Sequence, residues 1–231
     1  MNRPIIATTL SGLFISRVAW DKAHTLWYKE REIELREKGK DTSMIEEWRS
    51  LSASDPEKET RDYFKYVDRV MQELYPSLSE EERTEKARQL FFDAVLTYIE
   101  LYPDVVNKEV KDYFNSIKSR FKLALITTNI QGALEKILAT SGLTDMFDLI
   151  ECSLPEEKDD KRIVFDRFIK KYGKPLLYIG GGRKDSYDYC KEKNIERVFA
   201  NLDENEEIPG VELVHSVEEL KSKIDSLCQG T

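Results

Sequence analysis

Residues 4–14 read PIIATTLSGLF, and they set the fold class. An apolar run, Ile5-Ile6-Ala7, feeds a small polar loop, Thr8-Thr9-Leu10-Ser11-Gly12, after which apolar residues resume. A buried strand opening into a ligand-facing loop at the edge of an α/β sheet has this form. Further along, residues 123–126, 147–152, 176–179, 198–200 and 211–214 are short apolar runs of the same kind. Stretches of helical spacing fall at 105–114, 133–139, 163–171 and 186–193, and another at 217–227 closes the chain. Alternation of this sort predicts an α/β, Rossmann-like, doubly wound and mainly parallel sheet with helices on both faces. Right-handed crossovers then gather the strand-end loops on one edge.

Between the first strand and the rest, the pattern changes. Trp20, Ala23 and Trp27 fall at helical spacing, and a charged continuation runs to Gly39. Residues 50–57, SLSASDPE, read as a loop. Phe64, Val67, Val70 or Met71, and Leu74 form the next apolar stripe, and Ser79 to Glu82 is a capping-box signature. Ala87, Leu90, Phe91, Ala94 and Tyr98 supply the stripe of the helix that it opens. The expected organisation is a core of residues 1–16 and 101–231, with a helical cap domain inserted at 17–100. Its charge runs read as solvated faces. Trp20, Trp27, Tyr28 and Trp48 read as the packing of this small domain, with His24 stacked among them.

Composition narrows the function classes. Of 231 residues, 40% are hydrophobic, enough for a core. The net charge of −8 argues against a general nucleic-acid or anionic-membrane surface. No apolar run approaches the roughly 20 residues of a membrane span. Three cysteines, Cys152, Cys190 and Cys228, lie far apart without a CxxC pair, which points to ordinary thiols in a reducing compartment. The expected location is the cytoplasm.

Three strand ends are rich in small polar residues: Thr8 to Gly12, Thr127 to Asn129, and Gly180 to Asp185. Each precedes a helix or the insert, so free N–H groups gather there and suit an anion. Lys158, Lys161, Arg183 and Lys184 are the cations within reach of such a pocket.

In this order, the loops resemble the haloacid-dehalogenase-like (HAD) hydrolases, most of which are phosphatases. That family's first strand ends in DxDx(T/V), the second in Thr or Ser. A lysine then opens a helix, and a later strand ends in GDxxxD. Here ALITTN puts Thr128, followed by Asn129, at the phosphate-binding place. Lys161 matches the lysine, with Lys158 as its rival. YIGGGRKD puts Gly181 at the first acid of the last motif and Asp185 at the second. LYP at 101–103 and VELVHSVEELKSKI at 211–224 also fit the family's lead-in and its last strand and helix.

The resemblance places Thr9 at the nucleophile and Ser11 at the general acid, with Gly12 after them. A serine hydroxyl is a far poorer acid than a carboxylic acid, and a threonine needs a nearby base to attack. Magnesium usually requires one or two carboxylates, and only Asp185 remains, a weak site at best. No cofactor is therefore expected. The resemblance thus implies a pseudophosphatase that binds a phosphorylated ligand or a protein partner. Thr9, Ser11, Gly12, Thr128, Asn129 and Lys161 would form its binding site. The alternatives are an active HAD-type phosphohydrolase with altered catalytic residues and a non-catalytic interaction scaffold.

Overall fold

The computed structural model describes residues 3–54, 56–157, 159–202 and 208–228, with 51–64 and 227–228 described by backbone alone. Its sheet is built from β1 (Ile5–Thr8), β2 (Lys122–Ile130), β3 (Leu149–Ser153), β4 (Leu177–Gly180), β5 (Glu196–Ala200) and β6 (Glu212–Val214). The order is β3-β2-β1-β4-β5-β6, and every pairing is parallel. The two central strands are the most apolar, because helices cover both of their faces. Successive residues alternate between those faces. Ile6, Leu123, Leu125, Leu177 and Ile179 pack on one side with Phe114, Ile137 and Leu220. Those partners come from α5 (Lys108–Ile117), α6 (Gln131–Thr140) and α9 (Val217–Cys228). Ala7, Ala124, Ile126, Tyr178 and Phe199 face the other way, against Phe165, Phe168 and Tyr187. These belong to α7 (Lys161–Tyr172) and α8 (Lys184–Glu192).

Between β1 and α5 run α1 (Val18–Glu37), α2 (Ser43–Ser54), α3 (Pro56–Leu74) and α4 (Glu80–Leu101). Helix covers most of the loop expected at 50–57. α2 continues to Ser54 and α3 begins at Pro56, since proline suits the first turn of a helix and its missing N–H costs nothing there. Residue 55 lies outside the described residues. The Ser79 capping box forms in full: its hydroxyl accepts from the Glu82 N–H, and the Glu82 carboxylate accepts from the Ser79 N–H.

The insert has its own apolar cluster of Trp27, Trp48, Tyr66, Met71 and Leu74, with Tyr28 against it. Trp48 stacks on Tyr66 with ring centroids 5.6 Å apart. Trp20 differs from the expectation, packing instead against the sheet-side core together with Ala19, Val95 and Ile99. His24 stacks on Phe91 at 4.6 Å, bridging α1 and α4. Arg31 is an exception to the solvated faces: it is buried and pairs with Glu34. The two linkers to the insert are zipped together, with Ser16 donating to the Val105 carbonyl and Asn107 to that of Phe14. No helix among the described residues is long and apolar enough to cross a membrane.

Candidate functional site

The strand order reverses between β1 and β4, and in open α/β sheets ligands enter the crevice at such a point. β1 feeds this crevice through Thr9–Gly12. Thr9 donates to the Ile179 carbonyl at 3.2 Å, which extends the parallel ladder one residue past the strand. The Leu10 carbonyl then accepts from the N–H groups of Leu13, Phe14 and Ile15, folding the chain back. Gly12 has φ +75°, in the region that favours glycine.

Here the two loops touch backbone to backbone. A Cβ on Gly181 would lie 2.0 Å from the Ser11 carbonyl oxygen, and one on Gly12 would lie 2.9 Å from the Gly181 Cα. The crevice is closed by main chain. Two concavities lie elsewhere. One of about 340 Å³ sits beside the zipped linkers, lined by Leu13, Ser16 and residues 104–108. Another of about 440 Å³ sits where the start of α4 faces Glu156.

Beside the closed crevice, the polar groups form one network centred on Arg183. Its Nη1 donates to Asp159 Oδ1 at 2.8 Å and lies 3.4 Å from Thr128 Oγ1. Its Nε and Nη2 donate to Asp185 Oδ1 and Oδ2 at 3.1 and 2.6 Å. Burial alone would lower the Arg183 pKa, but Asp159 and Asp185 reverse this and raise it above the ordinary value. Burial likewise opposes the charge on Asp159, and Arg183, the Thr128 hydroxyl and Arg88 together hold its carboxyl below the usual range.

Arg88 arrives from α4. Its guanidinium donates to the carbonyls of Leu154 at 2.9 Å, Pro155 at 3.5 Å, Glu157 and Thr128. One side chain thus ties the insert to the ends of β2 and β3. Burial lowers its pKa from that of a free arginine, while Asp159 and Glu157 work against the drop. Arg88→Ala is expected to destabilise the protein by about 1.5–3 kcal/mol, since partly buried carbonyls lose a charged donor. Amide exchange should quicken at 154–157 and in α4. Arg88→Lys should restore only part, because an ammonium cannot span the same fork of acceptors.

Lys161 lies within electrostatic reach of Arg183, Asp185 and Asp159. Its side chain is buried, and Nζ donates to the Tyr178 hydroxyl at 2.7 Å. No hydrogen bond joins it to Thr128 among the described residues. Burial, with Arg183 nearby, brings its pKa down to about 7. Its rival Lys158 lies outside the described residues. Thr9 and Ser11 are half-buried on the β1 loop. Asn129 is buried, and its Nδ2 has no hydrogen-bond partner among the described residues. Burial pushes the Cys190 thiol up to about 12 and raises Cys152 too, so neither is a ready thiolate.

Sequence reading singled out Thr128, Arg183 and Asp185, and the fold brings them together. It missed Arg88 and Asp159. Arg88 sits in a charged helix directly after the stripe residue Ala87, so nothing local distinguishes it from a solvated face. Asp159 is hidden by its neighbour Asp160, which caps α7 by accepting from the Arg162 N–H.

The magnesium site of the resembling family does not fit these residues. A carboxylate at 181 would collide with the Ser11 carbonyl, and Asp185 is already engaged at two oxygens by Arg183.

No family model matches the sequence, and neither does any curated protein. Solved structures do match along nearly the whole chain. A HAD phosphatase from Thermococcus onnurineus superposes with a TM-score of 0.60 at 15% identity, covering 97% of this chain and 98% of that one. The chain has the haloacid dehalogenase-like fold. A hydrolase of the haloacid dehalogenase-like family from Streptococcus pneumoniae matches with a TM-score of 0.58 at 16% identity, covering 96% and 98%. L-2-haloacid dehalogenase from Xanthobacter autotrophicus matches with a TM-score of 0.53 at 11% identity, covering 97% and 99%. Within this haloacid dehalogenase-like fold, the present chain has main chain packed into the crevice at the strand reversal and an arginine network beside it.

Proposed function

We propose that this protein is a pseudophosphatase: it keeps the HAD-like scaffold, with the inserted helices as a cap, and binds a phosphorylated ligand or a protein partner without turning it over. The carrying observation is the Ser11–Gly181 contact, which leaves no room for the first acid of the last motif. The β1 loop supports the same reading. Thr9 and Ser11 stand where the resemblance expects a nucleophile and an acid, and residues 4–14 contain no carboxylate or imidazole to activate either. Lys161, which would steady a phosphoryl group, is turned to Tyr178.

Purified protein incubated with a panel of phosphate esters and magnesium is expected to release no phosphate above the buffer rate. Turnover that disappears in Thr9→Ala or Asp185→Ala would overturn the proposal and favour an active enzyme with altered residues.

A second reading, an interaction scaffold with a vestigial pocket, draws on Arg183 being already paired with Asp159 and Asp185. In that case inorganic phosphate would bind neither the wild type nor a variant with the pairing relaxed.

A further inference from the structure

The arginine network holds an anion of its own. We propose that Thr128 and Arg183 form an oxyanion site for a phosphate group, and that Asp159 fills this site until phosphate displaces it. The inference rests on the binding reading above and adds how that binding is regulated.

Arg183 Nη1 donates to the Asp159 carboxylate at 2.8 Å and lies 3.4 Å from the Thr128 hydroxyl oxygen, so guanidinium and hydroxyl stand together at the carboxylate. Hydroxyl and guanidinium donors side by side also suit a phosphate oxygen, and phosphate offers more acceptors and more charge than a carboxylate. Arg183 Nη2 makes one further contact with the same residue, to its main-chain oxygen at 3.3 Å. The site remains reachable from its rim, since the Arg183 and Asp159 side chains are 40% and 42% exposed although neighbouring protein crowds their charged ends. Asp185 grips the other edge of the guanidinium, so Arg183 keeps its orientation when Asp159 leaves. Arg88 adds positive charge next to Thr128, and its own hydrogen bonds go to carbonyls rather than carboxylates. Removing Asp159 therefore takes a negative charge away from the Thr128 hydroxyl and frees Arg183 Nη1 for another acceptor. Asp159 precedes α7, whose first turn is capped by Asp160, so its departure leaves the helix cap in place.

The test is calorimetric titration of inorganic phosphate into the full chain, wild type against Asp159→Asn, which keeps the shape and removes the charge. Asp159→Ser serves as a second variant, and thermal melts confirm that each is folded. A site occupied by its own side chain binds more weakly in proportion to that occupancy, so the variants are expected to bind phosphate about tenfold tighter or more. Adding Arg183→Gln to Asp159→Asn should abolish the gain. Equal phosphate affinity in wild type and both folded variants, or no binding in any of them, overturns the proposal. Ester turnover would instead sink the pseudophosphatase reading while leaving this comparison interpretable.

Discussion

Replacing Gly181 with alanine is expected to lower the melting temperature by about 6–12 °C. The added Cβ would sit 2.0 Å from the Ser11 carbonyl oxygen and close to the Gly12 Cα at 2.8 Å. Both are main-chain atoms, so no rotamer change relieves the clash, and the β1 and β4 loops must part. Overpacking of this kind costs about 3 kcal/mol when backbone has to move. For a chain of this length each kcal/mol is worth about 2–4 °C. Gly181→Asp, which supplies the acid that the resembling family carries there, should destabilise at least as much. It adds a desolvated charge to the same clash. The restored carboxylate would therefore build no metal site. Thermal melts with and without magnesium decide this: a Gly181→Asp protein as stable as wild type and further stabilised by magnesium would show that the loops separate readily.

Lys161→Met should reverse the usual expectation that losing a hydrogen-bonded lysine destabilises. The amine is buried against the Tyr178 ring and hydroxyl, with Cys190, Asp185, Asp159 and Arg183 as the surrounding ionisable groups. Its pKa falls from 10.5 to about 7, with burial the largest cause and Arg183 the next. The unfolded chain keeps the proton up to 10.5, so between about pH 7 and 10.5 it binds more protons than the folded chain. Stability contributed by this group therefore rises with pH across that window. At and below pH 7 the cost of a buried ammonium is present in full.

A tenfold difference in proton affinity between the folded and unfolded chain is worth about 1.4 kcal/mol, and the lost Tyr178 bond gives back roughly 1 kcal/mol. The methionine variant is accordingly expected to be more stable than wild type near pH 6 and to lose most of that margin by about pH 10. Urea unfolding of both proteins across this range measures it. A margin that does not change with pH would mean that Lys161 keeps its proton in the fold.

The sequence by itself determined the scaffold. Runs such as IIA at 5–7 and LLYI at 176–179 are too apolar to lie anywhere but the middle of a covered sheet, and strand–helix alternation leaves little freedom in topology. It also determined the helical character of the insert, through stripes such as Ala87, Leu90, Phe91 and Ala94 and through the Ser79 capping box, because helix periodicity and caps are local.

What only the tertiary structure decided was the state of the site. That Gly181 is pressed against Ser11 depends on two loops about 170 residues apart meeting across a parallel strand pair, and no local pattern reports such a distance. The partnership of Arg88, Thr128, Asp159 and Arg183 is likewise assembled from separate elements, α4, the end of β2, and the segments leading into α7 and α8. Lys161 shows the same division. Its position at a helix start was legible, but the direction of its amine depends on the burial of Tyr178, which the sheet imposes. Sequence periodicity places backbone. The charges of a site are settled only when distant segments remove one another from water.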